Sequence, residues 1–329
     1  MIDFTVLALP GAFASGVGAT IDILSNAASL ASTVGCSVPR WRMCSTEKTV
    51  MLSNGFYVEA SVLPKTYRAD ESIWVVPGLG LNDDRAIASR LAHPDAARAI
   101  EALRRHASRG GSIAASCSAV FLLHEAGLLA GKRVTTTWWL GGILQQMEPD
   151  CTVDTNQMVI ADGNIITGGA AFAHVDLMLY LLRSRFSPAL ADAVARSMVI
   201  DGRQCQSPYI VPVALANGDE LATKVVARFE AGLPNPPTIA QIASEFCMSN
   251  RTLARHIKAA TGRNLSALLQ SVRINRARML LETSRMSVDQ IAEQVGYADR
   301  TALRRLMRRQ TKATPKQFRP ALFDDHRQP

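Results

Sequence analysis

Two patterns of apolar and polar positions divide this chain of 329 residues. Up to about residue 200, short apolar runs alternate with stretches of helical period. "FTVLAL" (4–9), "SIWVVPG" (72–78) and "GSIAAS" (111–116) are short, mostly apolar runs of strand length that carry no charge. Helical spacing occupies the regions near 17–33, 95–109, 118–126 and 171–186. Strands apolar on both faces, separated by helices, predict an α/β fold with a parallel sheet covered on both sides. Such sheets bind ligands outside the carboxyl ends of their strands. Pro77-Gly78 and Ser116-Cys117 stand at two of those ends.

The second pattern, from residue 220 onward, is helical throughout and repeats. Ile239, Ile242 and Ala243 recur as Val288, Ile291 and Ala292 at an offset of 49, and Leu253, Arg255, Ile257 and Lys258 recur as Leu303, Arg305, Met307 and Arg308 at 50. Duplication at this period signals a repeated supersecondary unit. Each copy reads as two helices around a tight break. Thr238 and Ser287 are N-caps for the first helices, Ser249 caps the helix 250–260, and Asp299 or Ala298 opens the last one. Leu253 and Ile257, like Leu303 and Met307, fall on an inward face at i, i+4. The outward positions Ser249, Asn250, Arg251, Arg255, Arg300, Thr301, Arg304, Arg305 and Arg308 are then free to meet DNA, as the second helix of a helix-turn-helix requires. "LSALLQSVRINRARMLLETSR" (265–285) joins the copies as one long helix.

Charge sharpens this division. Residues 1–210 carry 17 Lys and Arg against 18 Asp and Glu, whereas residues 211–329 carry 19 against 10. Only the second half has the excess of positive charge that a polyanion attracts. Six scattered cysteines form no C-x-x-C pair, and no His cluster has metal spacing, so reduced thiols in a cytoplasm and no metal or cofactor are expected. No apolar stretch is long enough to span a membrane, and the start "MIDFTVLALPGAF" lacks the basic flank of a signal peptide.

The segment 222–320 resembles the AraC/XylS DNA-binding domain. "RINRARMLLETSRMSVDQIAEQVGYADRTALRRLMRRQTKATPKQFR" carries the likeness. Leu303, Met307 and Leu265 replace that family's usual Phe, Phe and Pro, and Lys312 stands where glycine ordinarily eases a left-handed turn. The front half resembles the PfpI-type, class I glutamine amidotransferase-like fold through "WVVPGLG", "SCSAVFLLHEAGLLAGKRVTTTWW" and "NIITGGAAFAHVDLMLYLL". That order of domains is similar to the GlxA-like transcriptional regulators. The expected architecture is a parallel-sheet sandwich sensor over 1–205, a linker over 206–219 and an all-α double helix-turn-helix domain over 220–322.

The resemblance implies a cysteine nucleophile at Cys117 and a histidine base just before Trp138, but residue 137 is threonine. Thr137 cannot accept a thiol proton near neutral pH. The loop "PGAFASGVGAT" lacks the carboxylate that PfpI-type relatives place there, and Ala119 replaces a common glycine. His124 lies two helical turns from the elbow, and His174 precedes a helix at another strand end. The reading is therefore a non-catalytic shell with candidate ligand-contacting residues Gly78, Cys117, Ser118, Thr137 and Trp138. The function expected is a sequence-specific regulator that binds double-stranded promoter DNA as a homodimer and senses a small metabolite. The alternative is an active cysteine amidase or hydrolase fused to a DNA-binding module.

Overall fold

A computed structural model describes residues 2–63 and 71–319; residues 320–322, expected to close the DNA-binding half, lie outside them. The chain divides into two compact units, Met1–Gln204 and Cys205–Pro329. In the first, strands β1 (Phe4–Leu7), β2 (Trp41–Ser45), β5 (Ser61–Val62), β6 (Ile73–Val76), β7 (Ile113–Ser116), β10 (Val159–Asp162) and β11 (Ile165–Gly168) form one sheet in the order β10-β11-β7-β6-β1-β2-β5. Two-stranded pairs are made by β3 (Thr49–Met51) with β4 (Tyr57–Glu59), and by β8 (Arg133–Val134) with β9 (Thr152–Val153).

The central strands are apolar on both faces because successive side chains serve opposite layers. Phe4, Val6, Val75 and Ala114 face Ile23, Leu24, Leu177 and Leu190, which belong to α1 (Ala14–Leu30), α6 (Ala173–Arg185) and α7 (Pro188–Ser197). Leu7, Trp74, Val76, Ile113 and Ala115 point the other way, into a core with Leu103, Phe121 and Leu122. The layer on that side holds α3 (Pro94–Ser108) and α4 (Val120–Glu125), with α2 (Asp84–Leu91) and α5 (Gly141–Met147). The sheet is parallel as expected except at one edge, where β10 runs antiparallel to β11. Gly163, at φ +62, turns the chain between them in a tight hairpin, a connection only antiparallel strands can use.

The second unit contains α8 (Glu220–Ala231), α9 (Ile239–Glu245), α10 (Asn250–Thr261), α11 (Leu265–Thr283), α12 (Val288–Gln294) and α13 (Arg300–Thr311). The duplication extends to the caps. Thr238 with Gln241, and Ser287 with Gln290, make reciprocal capping boxes on α9 and α12, satisfying two otherwise orphaned amides each. Ser249 and Asp299 cap α10 and α13. Leu253, Ile257, Leu303 and Met307 are all buried, which fixes the outward face of each second helix.

Residues 206–219, expected as a linker, are instead folded. Ser207–Tyr209 and Pro212–Ala216 form 3-10 turns that pack against α8, α10, α11 and α13. Pro208, Pro212 and Gly218 removed any helical period from the sequence, but they did not prevent packing.

Candidate functional site

Three parallel neighbours, β1, β6 and β7, deliver the loop 8–13, Pro77-Gly78 and Cys117 to one end of the sheet. Cys117 holds φ +54, a left-handed conformation unusual for a residue with a Cβ. Its amide donates to Gly169 O at 2.7 Å, and its carbonyl accepts from Thr136 Oγ1 at 2.8 Å. The backbone of the elbow is therefore held on both sides. Gly78 permits this arrangement, since a Cβ there would lie 2.8 Å from the Cys117 Cβ. Phe13 donates its amide to Gly78 O, and a Gly78 Cβ would also meet its ring.

All five predicted ligand-contacting residues are buried, and Cys117 is 1% exposed. Burial pushes the Cys117 thiol above its ordinary value, and the Ser118 amide and hydroxyl and the nearby Thr137 hydroxyl pull it down less strongly. The thiol is thus protonated at neutral pH. Ser118 Oγ accepts from Leu81 N at 3.2 Å, so this side chain tethers the loop after β6. Thr137 Oγ1 is buried and, among the described residues, meets no hydrogen-bond partner of ordinary geometry. Trp138 packs edge-on against Trp139 with ring centroids 4.9 Å apart, so it supports the wall through packing.

Neither histidine considered as a substitute base is available for that role. His124 Nδ1 pairs with Glu148 Oε2 at 3.0 Å. His174 is fully buried between two hydroxyls, with Nδ1 at 2.8 Å from Ser116 Oγ and Nε2 at 2.6 Å from Thr20 Oγ1. Because Thr20 Oγ1 donates to Gly16 O, it accepts from His174 Nε2–H, and Nδ1 accepts from Ser116. Burial lowers the His174 pKa from its ordinary 6.5 to about 4. Thr136, Gly169 and Phe13 also shape the elbow, and only Gly169, beside Gly168 ahead of a helix, left a trace in the sequence.

In the second unit, Ser249, Asn250, Arg251, Arg255, Arg300, Thr301, Arg304, Arg305 and Arg308 are all exposed. They lie on α10 and α13 or, for Ser249, at the cap. The Ser249 hydroxyl already serves Thr252 N at 3.1 Å, leaving mainly its backbone for an outside partner. Arg300 lies 3.6 Å from Asp289, an exposed pair that solvent screens and that costs little to break. The other guanidinium groups of α13 project from a helix whose opposite face is closed by Leu303, Leu306 and Met307.

Comparison with known proteins agrees with both descriptions. The DJ-1/PfpI family model matches residues 6–184, and a helix-turn-helix domain model matches residues 242–321. The chain is 26% identical over 324 residues to the HTH-type transcriptional regulator CdhR of Pseudomonas aeruginosa, covering 97% of this chain and 92% of the relative. It is 29% identical over 241 residues to the HTH-type transcriptional regulator ArgR of the same species, covering 70% and 73%. A putative transcriptional regulator from Vibrio parahaemolyticus shares the fold with a TM-score of 0.50 at 16% identity, over 61% of this chain and 99% of that one. A ThiJ/PfpI family protein from Pseudomonas syringae gives 0.50 at 15% identity, over 77% and 90%. No described helix is long and apolar enough to cross a membrane.

Proposed function

The chain belongs to the DJ-1/PfpI family and is a transcriptional regulator with an AraC-type helix-turn-helix domain, and from that premise we propose a division of labour. The second unit reads promoter DNA in a sequence-specific way, with α10 and α13 entering successive major-groove segments. Arg251, Arg255, Arg300 and Arg304 contact base edges, while Arg305 and Arg308 serve the phosphates with Ser249, Asn250 and Thr301. The first unit is a non-catalytic sensor, and the protein works as a homodimer. Duplicated second helices, each buried on one face and cationic on the other, carry the DNA-binding reading.

The sensor reading rests on the elbow. Thr137 keeps a buried hydroxyl beside the neutral Cys117 thiol, outside hydrogen bonds of ordinary geometry. Among the described residues, burial, Ser118 and Thr137 are what act on the Cys117 thiol, with no carboxylate or imidazole beside them, so this geometry favours holding a small polar molecule over attacking one. The two loops that carry Phe13 and Gly78, joined by the Phe13 amide to Gly78 O, must part for a ligand to enter. A thermal-unfolding screen of the full chain against small metabolites tests this. A stabilising compound whose effect is lost in Thr137→Val and Cys117→Ala supports the reading. Stabilisation unchanged by both substitutions, or turnover of an amide or ester abolished by Cys117→Ala, refutes it.

A further inference from the structure

The second unit has two connections between its helix-turn-helix halves. One is α11, a helix of 19 residues, stiff over about 28 Å at 1.5 Å per residue. The other is the folded stretch that begins at Cys205. Its first turn, Ser207–Tyr209, packs on α11 and α13, and its second, Pro212–Ala216, packs on α8, α10 and α11. The segment thus touches the second helix of each half.

Its attachments are polar and specific. Arg278 on α11 donates from Nη1 to Pro208 O and places its guanidinium 5.7 Å from the Tyr209 ring centroid, where a cation is attracted to the aromatic face. Cys205 Sγ approaches Gln310 O near the end of α13 at 3.7 Å. Gln310 and Arg309 in turn donate to Gln270 on α11. At the other end Asp219 has two roles. It caps α8 by accepting from Ala222 N at 2.7 Å, and its two oxygens lie 3.0 and 2.8 Å from His256 Nε2 on α10.

We propose that residues 205–219 are a strap that fixes the spacing of the two DNA-reading helices, with Arg278 and Asp219 as its positioning residues. Neither residue is required to touch DNA. A second tie beside α11 restricts swivelling of either half about the ends of that helix, so spacing of the two groove segments becomes part of what the protein recognises. Each added base pair shifts the second segment by about 3.4 Å along the duplex and rotates it by roughly a tenth of a turn. Because the strap starts at the junction with the first unit, displacement of that junction bears first on the α13 contacts. This inference rests on the reading that α10 and α13 both enter DNA.

The test uses full-length protein and a duplex carrying its footprinted site, with one or two base pairs inserted between the two protected segments. Wild type is expected to lose at least tenfold in affinity on insertion. Asp219→Asn keeps a good N-cap but loses the charge facing His256, and Arg278→Met keeps an apolar stem but loses the donor and the cation. In both, the insertion penalty is expected to fall at least threefold while helical content is unchanged. Tyr209→Ala, at a residue 47% exposed, provides a third variant if either of the others unfolds. Variants as sensitive to insertion as wild type, even with weaker binding, overturn the strap and leave the two-segment reading standing. A wild type indifferent to insertion overturns both.

Discussion

Ser116 Oγ donates to His174 Nδ1 at 2.8 Å, so the residue before Cys117 is anchored to a neutral imidazole in α6. His174 then donates to Thr20 Oγ1, which completes a buried chain from α1 through α6 to the elbow. Each atom in the chain has one role, and a second proton on the ring would leave Nδ1–H facing the Ser116 oxygen in a site that burial makes hostile to charge.

That chain makes stability depend on pH. Unfolded, His174 takes up a proton below about 6.5, whereas the folded protein refuses it down to about 4. The unfolded state therefore binds more protons in this window, so stability falls as pH is lowered through it. Above pH 6.5 the contribution is complete, and by pH 4 about 3 kcal/mol has been lost at roughly 1.4 kcal/mol per pKa unit. Urea unfolding of wild type and His174→Gln from pH 7.5 to 4 checks this. The difference between them should change with pH in that window, and parallel curves would contradict the assignment.

Gly78 and Cys117 set the space at the elbow. Gly78→Ala places a Cβ 2.8 Å from the Cys117 Cβ, and overpacking of this kind costs about 1–3 kcal/mol. Cys117→Gly removes the clashing atom and suits φ +54, so the double variant should regain most of the loss. Chemical unfolding of the two single variants and the pair measures the coupling. Additive effects would show that the two residues do not meet.

The two DNA-binding halves use glycine in a complementary pattern. Gly296 (φ +78) forms the turn of the second half where the first has Cys247 (φ +54), while Gly262 (φ +68) ends α10 where Lys312 (φ +58) ends α13. A left-handed residue with a Cβ costs about 1–2 kcal/mol. Cys247→Gly and Lys312→Gly should each stabilise the protein, by up to about 1 kcal/mol once the extra freedom of unfolded glycine is offset. Lys312→Ala separates charge from backbone and should give no gain. Thermal melts of the three variants decide the point.

The sequence announced what depends on local pattern. β1, β6 and β7 were legible because burial on both faces leaves no charged residue in them and only the small hydroxyls of Thr5 and Ser116. α9, α10, α12 and α13 were legible because each begins with a capping side chain and buries one stripe. β2 was not, since "WRMCS" carries Arg42, whose Nε donates to Thr5 Oγ1 at 3.0 Å, a pairing that no periodicity displays. At the elbow, the loss of a base could be read from Thr137. The engagement of His174 by Ser116 and Thr20 could not, because those partners lie 58 and 154 residues away. The folded stretch after residue 205 was missed for another reason: 3-10 turns rich in proline leave the same signature as a linker.

Alanine in place of Arg251, Arg255, Arg300 or Arg304 should weaken binding by about 1–3 kcal/mol each and relax preference at one base position if that arginine reads a base. Arg305→Ala and Arg308→Ala should weaken all sequences alike and flatten the salt dependence. Competition binding against a library of base substitutions separates the two groups. Uniform weakening from all six would assign every one of them to the phosphates.

The most direct test of the central claim is dimethyl sulfate footprinting, which reads guanine N7 in the major groove, of the full chain on its promoter, combined with binding measured over a range of salt. The account predicts two protected major-groove segments per chain, about 34 Å apart on one face of the duplex. It also predicts an affinity that falls steeply and linearly in log–log form as salt displaces Lys and Arg from phosphates. Protection of a single segment per chain, or binding indifferent to salt, would contradict it.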